Sequence, residues 1–213
     1  MFFSHMHWDH IQGFPFFKPA FIPENHFDLY GGKNLTTNLA ETLAGQMNFP
    51  NFPVTLEQMA SSMVFHAFHD GQVVDLGDGV TVKPLRLNHP NGCYGYRLEH
   101  GGKAVTYCTD TEHRSTPDPN VLELAKNADL FVYDAQYTPE EYEGRAGNMS
   151  KVGWGHSTYE VGADLAKQAG AKRLVLFHHD PNHNDDTVLS IANRCQELFN
   201  DTEAAREGLH YQL

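Results

Sequence analysis

The segment His5-Met6-His7-Trp8-Asp9-His10 constrains this chain most, because four side chains that can bind a metal ion lie within six residues. In an extended backbone, side chains two residues apart point to the same side, so His5 and His7 can reach one ion. Asp9 and His10 follow where the chain turns into the next element, and they can hold a second ion nearby. Neutral imidazole and carboxylate suit zinc and similar divalent metals. A chance cluster in a chain with 14 histidines is the alternative to a metal site.

Composition limits the class of protein. The chain has 213 residues, of which 40% are hydrophobic, which is enough to bury the core of one domain. Its formal net charge is -12, and no Lys or Arg occurs between residues 34 and 82. A long nucleic acid is therefore not expected as a partner, unless basic residues cluster elsewhere or metal ions attract it.

The sequence shows no targeting or membrane segment. It has neither an apolar run of the roughly 20 residues that a membrane span requires nor the basic and apolar start of a signal peptide. Cys93, Cys108 and Cys195 are odd in number and show no C-x-x-C spacing, which favours a reduced setting over a disulfide framework. We expect a cytoplasmic protein without a membrane partner.

The predicted secondary structure differs between the two halves of the chain. The first half is mostly strands, which are predicted at 26–30, 63–68, 73–76, 80–87, 94–99 and 104–108. A turn is predicted at 77–79, and Pro84 suggests a sheet edge or a bulge. A helix follows Asn38, with Leu39, Leu43 and Met47 on one face. The second half alternates helices at 120–127, 158–169 and about 186–199 with strands at 130–133 and 173–177. This order predicts an α/β fold in which sheets pack between helices, as one domain over residues 1–213.

Three further metal-capable residues fall at predicted strand ends, where a sheet can bring them together. These are His89, Asp110 and His178. Taken singly, each has an ordinary alternative as a loop histidine or a helix-capping aspartate. Together with the first motif they supply seven ligands, which suffice for two ions if one carboxylate bridges them.

At this point the chain resembles a known family. The H-x-H-x-D-H motif, the later His89, Asp110 in a T-D-T-E context and the strand-end His178 are similar to the metallo-β-lactamase superfamily of binuclear hydrolases. The pattern looks most like its ribonuclease Z and cyclic-phosphodiesterase branch. Gly95-Tyr96-Arg97 and Gly155-His156-Ser157-Thr158 add to this resemblance, which covers essentially the whole chain. It implies an αββα sandwich.

The resemblance also implies roles for the motif residues. The two metal sites would be formed by His5, His7 and His89 and by Asp9, His10 and His178, with Asp110 bridging them. The two divalent ions are expected to be zinc, with manganese or iron as alternatives. His156 would match the non-ligand histidine that assists phosphodiester cleavage, and its alternative is a helix N-terminal histidine bonded to backbone. Asp9 would both ligate metal and orient the nucleophile, so Asp9 and His156 are the predicted catalytic residues.

The function expected from these roles is hydrolysis of a small or cyclic nucleotide-like phosphodiester by a metal-bound hydroxide. A thioesterase or lactamase of the same fold is one alternative. Asp110, where common lactamases place cysteine, argues against a lactamase, and His156 favours phosphodiester chemistry. A non-catalytic truncated member is a further alternative. A di-iron oxygen-reducing protein is disfavoured, because that branch usually has glutamate where His7 stands.

The chain departs from the family at its start and in its central region. Family members have a block of strands before the motif, but only Met1 to Ser4 precede it here. The sequence therefore predicts either an incomplete version of a longer domain or a sheet completed by another copy of the chain, which would make a homo-oligomer. The Gly-rich basic arm of ribonuclease Z is missing, and an aromatic-rich region from Phe14 to Phe68 could form a lid instead, although core packing explains most of its rings.

Several other residues near the motifs have open roles. Asp134 is a candidate acceptor for a ligand histidine, with a turn role as the alternative. His179 and His183 are expected at a pocket rim or on the surface. Cys108 is expected to pack beside the site without binding metal.

Overall fold

The computed structural model describes residues 1–33 and 38–213, which divide into two units, Met1–Asp70 and Gly71–Leu213. The N-terminal unit contains a two-stranded sheet and the C-terminal unit a seven-stranded sheet. A single hydrolase domain over residues 1–213 stays a prediction.

A pair of parallel strands organises the N-terminal unit. β1 (His26–Gly32) pairs with β2 (Ser62–Phe68), in a register that sets Leu29 opposite Phe65. Between them in sequence lies α2 (Leu39–Gln46), where the Asn38 side chain accepts the N–H of Ala40 as an N-cap. The remaining helical turns are short: α1 (Trp8–Ile11) and 3₁₀ turns at Phe14–Phe16, Lys18–Phe21 and Leu56–Gln58.

The aromatic region divides between core and surface. Leu29, Leu43 and Met47 are fully buried at the centre of the N-terminal unit. The rings that join this core are those of Phe3, Phe14, Phe17, Phe27, Phe52 and Phe65. Phe16 and Phe49, by contrast, are 71% and 91% exposed. Core packing thus explains most of the aromatic residues, as expected.

The strand β1 also pairs with the start of the chain. Phe3 donates its N–H to the Tyr30 carbonyl at 2.9 Å, and Tyr30 donates its own to the Met1 carbonyl at 2.8 Å. The rings of Phe2 and Tyr30 stack at 4.5 Å. These contacts anchor the backbone immediately before His5.

The seven-stranded sheet of the C-terminal unit has the strands in sequence order. Neighbours are antiparallel from β3 to β6 and parallel from β6 to β9. The strands are β3 (Val74–Asp75), β4 (Thr81–Leu87), β5 (Cys93–His100), β6 (Lys103–Cys108), β7 (Leu130–Asp134), β8 (Leu174–Phe177) and β9 (Thr202–Ala204). Pro84 pairs with Tyr96 of β5 and lies beyond the reach of the two-residue β3, so its missing N–H costs no ladder bond.

Helices make the crossovers between the parallel strands. They are α3 (Pro119–Ala125), α4 (Pro139–Glu143), α5 (Tyr159–Ala169) and α6 (Asp185–Leu198). Leu124, Phe131, Leu174, Leu176 and Ile191 are at most 2% exposed and belong to one core cluster of sheet and helix residues. Burying their side chains supplies the main stabilisation of this unit. Within the described ranges 1–33 and 38–213, no helix has both the length and the apolar character needed to cross a membrane.

Asp129 connects three segments at the start of the parallel strands. Its carboxylate accepts the Ala104 N–H at 2.9 Å, the Lys172 ammonium at 2.7 Å and the Lys103 ammonium at 3.4 Å. The hydrogen bonds from Lys172 and Ala104 hold the pKa of Asp129 well below its usual range.

We expect Asp129→Asn to lower the free energy of unfolding at neutral pH. A carboxylate with a depressed folded-state pKa stabilises the fold above its unfolded pKa of about 4, and this contribution is lost as pH falls toward the folded value. Urea unfolding near pH 7 and near pH 3 measures it, and the gap between wild type and variant should shrink at the lower pH. Asp164→Asn, at an exposed site, is the control. An equal gap at both pH values would contradict the assignment.

Candidate functional site

The carboxyl ends of three adjacent parallel strands gather polar side chains in the C-terminal unit. Asp110 follows β6, Asp134 ends β7, and His178 follows β8. Asp110 and His178 have positive φ angles of 57° and 60°. Such left-handed geometry costs about 1–3 kcal/mol for a non-glycine residue and is concentrated at functional sites.

Asp110 and His178 face each other at these strand ends. His178 Nε2 lies 3.3 Å from Asp110 Oδ1. The Thr109 hydroxyl donates to the other oxygen, Oδ2, at 2.8 Å, and Asp110 is only 1% exposed. Two donors that bind one tetrahedral ion at about 2.0–2.1 Å are separated by roughly 3.4 Å. The observed separation fits two ligands of a shared ion.

The fully buried carboxylate of Asp134 connects this pair to a neighbouring loop. Asp134 Oδ2 accepts the Asp110 N–H and the Nδ1–H of His156, both at 2.9 Å. Asp134 Oδ1 accepts the N–H of Ser157 at 3.0 Å and of Gln136 at 3.2 Å. The sequence predicts either an acceptor for a ligand histidine or a turn role. The N–H of Gln136, two residues on, is typical of a turn, whereas the histidine that Asp134 accepts from is His156, the predicted non-ligand.

His156 is oriented by a carboxylate and by neighbouring rings. The Asp134 carboxylate accepts from Nδ1 and so fixes the orientation of the imidazole. The ring stacks on His178 with centroids 4.8 Å apart and planes 11° apart. The N-cap of α5 is Thr158. The Nδ1 of His156 is thus bonded to a side-chain carboxylate, whereas the alternative predicted a bond to the backbone.

His89 adopts the orientation expected of a metal ligand. Its Nδ1 lies 2.8 Å from the Gly155 carbonyl and donates to it, so Nε2 carries the lone pair. Metal-binding histidines typically donate their second ring nitrogen in this way. One donor atom from each of His89, Asp110 and His156 lies within 4.8 Å of the other two.

Glu112 fixes the loop that supplies both the Gly155 carbonyl and His156. Its Oε1 accepts the Gly153 N–H at 2.6 Å and the Tyr142 hydroxyl at 2.7 Å. Its Oε2 accepts the Gly155 N–H at 3.0 Å. The sequence alone predicts no role for Glu112, although this residue lies two positions after Asp110 in the T-D-T-E motif.

The first motif places its donors at the start of the N-terminal unit. His5 is 2% exposed, and its Nε2 lies 2.9 Å from His7 Nδ1, so the two rings converge as expected. The Ser4 hydroxyl lies 3.2 Å from His5 Nδ1. Asp9 and His10 lie on α1, with a carboxylate oxygen 3.1 Å from the His10 Nε2. The chain thus turns into a helix where the motif predicted a turn.

The donor chemistry of both units fits divalent metals. The donors are imidazoles and carboxylates, which suit zinc-like ions, and all of them except the exposed Asp9 are buried or half-buried. Cys108 is fully buried in the core, and this burial raises the pKa of its thiol, so it stays a neutral packing residue.

The two histidines after His178 have structural contacts. His179 Nε2 lies 3.3 Å from the Ala205 carbonyl, and burial lowers the pKa of this imidazole. His183 Nε2 lies 2.9 Å from Glu141 Oε1. With a side chain only 6% exposed, His183 lines a cavity rather than the surface.

We expect Gly155→Ala to disturb His89 and to reduce metal content. A Cβ at Gly155 would lie 2.3 Å from His89 Nδ1 and 2.4 Å from Pro90 Cδ. Gly153→Ala is a matched control, because its φ of +89° resembles the +91° of Gly155 but its Cβ would meet nothing within 4 Å. Thermal unfolding should show a loss of stability in both variants, larger in Gly155→Ala because of these close contacts. Elemental analysis should show lower metal content only in Gly155→Ala. Equal metal content in the two would contradict this role.

Comparison with known proteins places the chain in a family. Residues 1–179 match the family model described as the beta-lactamase superfamily domain. Ribonuclease BN of Cronobacter sakazakii is 24% identical in an alignment 262 residues long, which covers 98% of this chain and 80% of that protein. Ribonuclease Z of Bacillus cereus is 30% identical over 144 residues, which cover 68% of this chain and 41% of that protein.

The fold agrees with this similarity. The metallo-beta-lactamase fold protein YhfI from Bacillus subtilis aligns with a TM-score of 0.71 at 20% identity, over 99% of this chain and 76% of that one. The predicted α/β fold class and the predicted branch are both confirmed. The chain belongs to the metallo-β-lactamase superfamily of metal-dependent hydrolases, on its ribonuclease Z-like branch.

Proposed function

We propose that this chain is a two-metal phosphodiesterase that hydrolyses a small or cyclic nucleotide-like phosphodiester. The observation that carries this proposal is the Asp134–His156 pair beside Asp110 and His178. A buried carboxylate bonded to one imidazole nitrogen orients the other nitrogen and stabilises the protonated ring. A histidine prepared in this way can donate a proton to a departing oxygen.

The proposed ligands follow the family pattern. Two divalent ions, zinc in preference to manganese or iron, are assigned seven side chains: His5, His7 and His89 for one ion, Asp9, His10 and His178 for the other, and Asp110 as the bridge. The donor chemistry in each unit supports this assignment, above all the His89 tautomer and the 3.3 Å separation between Asp110 and His178.

The residues of the chain divide the chemistry between them. When bound, the metal ions provide a nucleophile near neutral pH and offset negative charge on the phosphoryl oxygens. Asp9 orients the nucleophile in addition to its ligand role. His156 holds a proton at Nε2 for the departing oxygen, while Asp134 keeps its Nδ1–H in place.

A small substrate agrees with the charge of the chain. The net charge of -12 and the stretch without Lys or Arg between residues 34 and 82 offer little attraction to a long polyanion. Cleavage of RNA is the second candidate, because the relatives are named ribonucleases.

Metal-loaded protein should turn over bis-p-nitrophenyl phosphate and cyclic nucleotides faster than an RNA, a thioester or a β-lactam. Preference for the RNA, thioester or lactam would overturn the substrate assignment.

We expect protein purified without chelator to contain close to two equivalents of divalent metal, and Asp110→Ala to lose at least one of them. Asp110 would serve both metal sites in the proposed assignment, so its removal would weaken both. Elemental analysis measures the content, with the exposed Asp164→Ala as control. Retention of both metals by Asp110→Ala would exclude the bridging role.

We expect His156→Ala to lower turnover by roughly 10²–10⁴-fold while metal content stays intact, because the lost group is a proton donor and not a ligand. Activity and elemental analysis are measured on the same preparation, with the exposed His100→Ala as control. Metal loss would mean that His156 is a ligand. Unchanged turnover would show that it has no part in the reaction.

A further inference from the structure

A cavity of about 220 Å³ lies in the C-terminal unit. Its lining includes Tyr137, Glu141, Lys151, Asp180, Asn182 and His183. The Tyr137 ring packs edge-on against the His156 ring with centroids 6.1 Å apart. The backbone N–H of Tyr137 donates to the Ser157 carbonyl at 3.2 Å. Tyr137 therefore connects the cavity to the imidazole that the proposed reaction uses.

Lys151 brings a positive charge to this cavity. Its Nζ lies 4.0 Å from the Trp154 ring centroid and 5.8 Å from that of Tyr137. None of the ion pairs within residues 1–33 and 38–213 includes Lys151. The carboxylates of Glu141 and Asp180 also line the cavity, but in the described residues neither forms an ion pair with Lys151, so this ammonium group can pair with an electron-rich group of a ligand.

The cavity also offers neutral donors and acceptors. Tyr137 is 3% exposed, and in the described part of the chain its hydroxyl makes no hydrogen bond. The Asn182 amide donates to Asp180 Oδ1 at 2.8 Å, which leaves its amide oxygen to accept. The wall is fixed by the bond between His183 and Glu141 at 2.9 Å. A ligand with both donors and acceptors on an aromatic ring matches this lining.

We propose that this cavity is the subsite for the nucleoside part of the phosphodiester, with the base beside Lys151 and Tyr137. The inference rests on the proposed function and names its substrate class further. A cavity of this size is below the range of sites for drug-sized ligands, so it admits one base and not a folded oligonucleotide. Its polar lining disfavours an alkyl or plain aryl substituent, which could not satisfy the Lys151 ammonium or the Tyr137 hydroxyl.

Two chromogenic diesters with the same leaving group test the subsite. They are the p-nitrophenyl ester of thymidine 5′-monophosphate, which has a nucleoside, and bis-p-nitrophenyl phosphate, which does not. The readout is the ratio of kcat/KM for the first diester to that for the second. For Lys151→Met and Tyr137→Phe we expect this ratio to fall roughly 5-fold or more, through a higher KM for the nucleoside ester. Lys167→Met, at an exposed position on α5, is the matched control and should keep the wild-type ratio.

The outcomes separate the subsite from the proposed function. An unchanged ratio in both variants overturns the subsite, even if the enzyme remains a phosphodiesterase. If the wild type hydrolyses neither diester, the proposed function fails, and equilibrium binding of thymidine 5′-monophosphate then decides the subsite alone. Binding that weakens in Lys151→Met but not in Lys167→Met supports it. Equal binding by the wild type and Lys151→Met overturns it.

Discussion

The C-terminal site depends on one buried carboxylate. Asp134 accepts four N–H groups at 3.2 Å or less: three from the backbone, at Asp110, Gln136 and Ser157, and one from the His156 ring. A buried carboxylate is costly unless such donors satisfy it, and loss of the acceptor would leave these donors without their partner. The left-handed backbone at Asp110 and the orientation of His156 therefore have a common cause.

Glu112 has a similar effect on the neighbouring loop. It accepts the N–H groups of Gly153 and Gly155 and so fixes the loop that contains the Gly155 carbonyl, which accepts from His89, and the next residue, His156. The carboxylates of Glu112 and Asp134 thus help to orient His89 and His156, and each accepts hydrogen bonds from a different set of donors. Replacing a side chain that orients a metal ligand from outside typically lowers metal affinity or activity by about 10–100-fold.

Much of the architecture could be predicted because its signals are local. The hairpin turn at residues 77–79, the alternation in β4 to β6 and the helical periodicity of α5 and α6 depend on nearest neighbours, and the observed elements agree to within a few residues. The short elements were missed: α1, α4 and the three-residue β9 are too short to show a period.

The contacts around the site were harder to predict than its donors. The motif spacing indicated seven metal-capable residues, and within each unit the structure brings its own members of this set together. Asp134 is bonded to His156, which lies 22 positions away along the chain. Glu112 is bonded to Gly155, which lies 43 positions away. No periodicity connects positions so distant, because tertiary folding alone brings them together.

The arrangement of the seven-stranded sheet has a consequence for how the chain acquires its chemistry. The strands from β3 to β6 are joined by tight connections, whereas each parallel pairing from β6 to β9 requires a helical crossover. Contacts between residues close in sequence form faster than those that must close long loops. Asp110, Asp134 and His178 all lie at the ends of the parallel strands, so we expect their arrangement to form later in folding than the hairpins between β3 and β6. A nascent chain is therefore expected to form its hairpins before these three side chains are brought together.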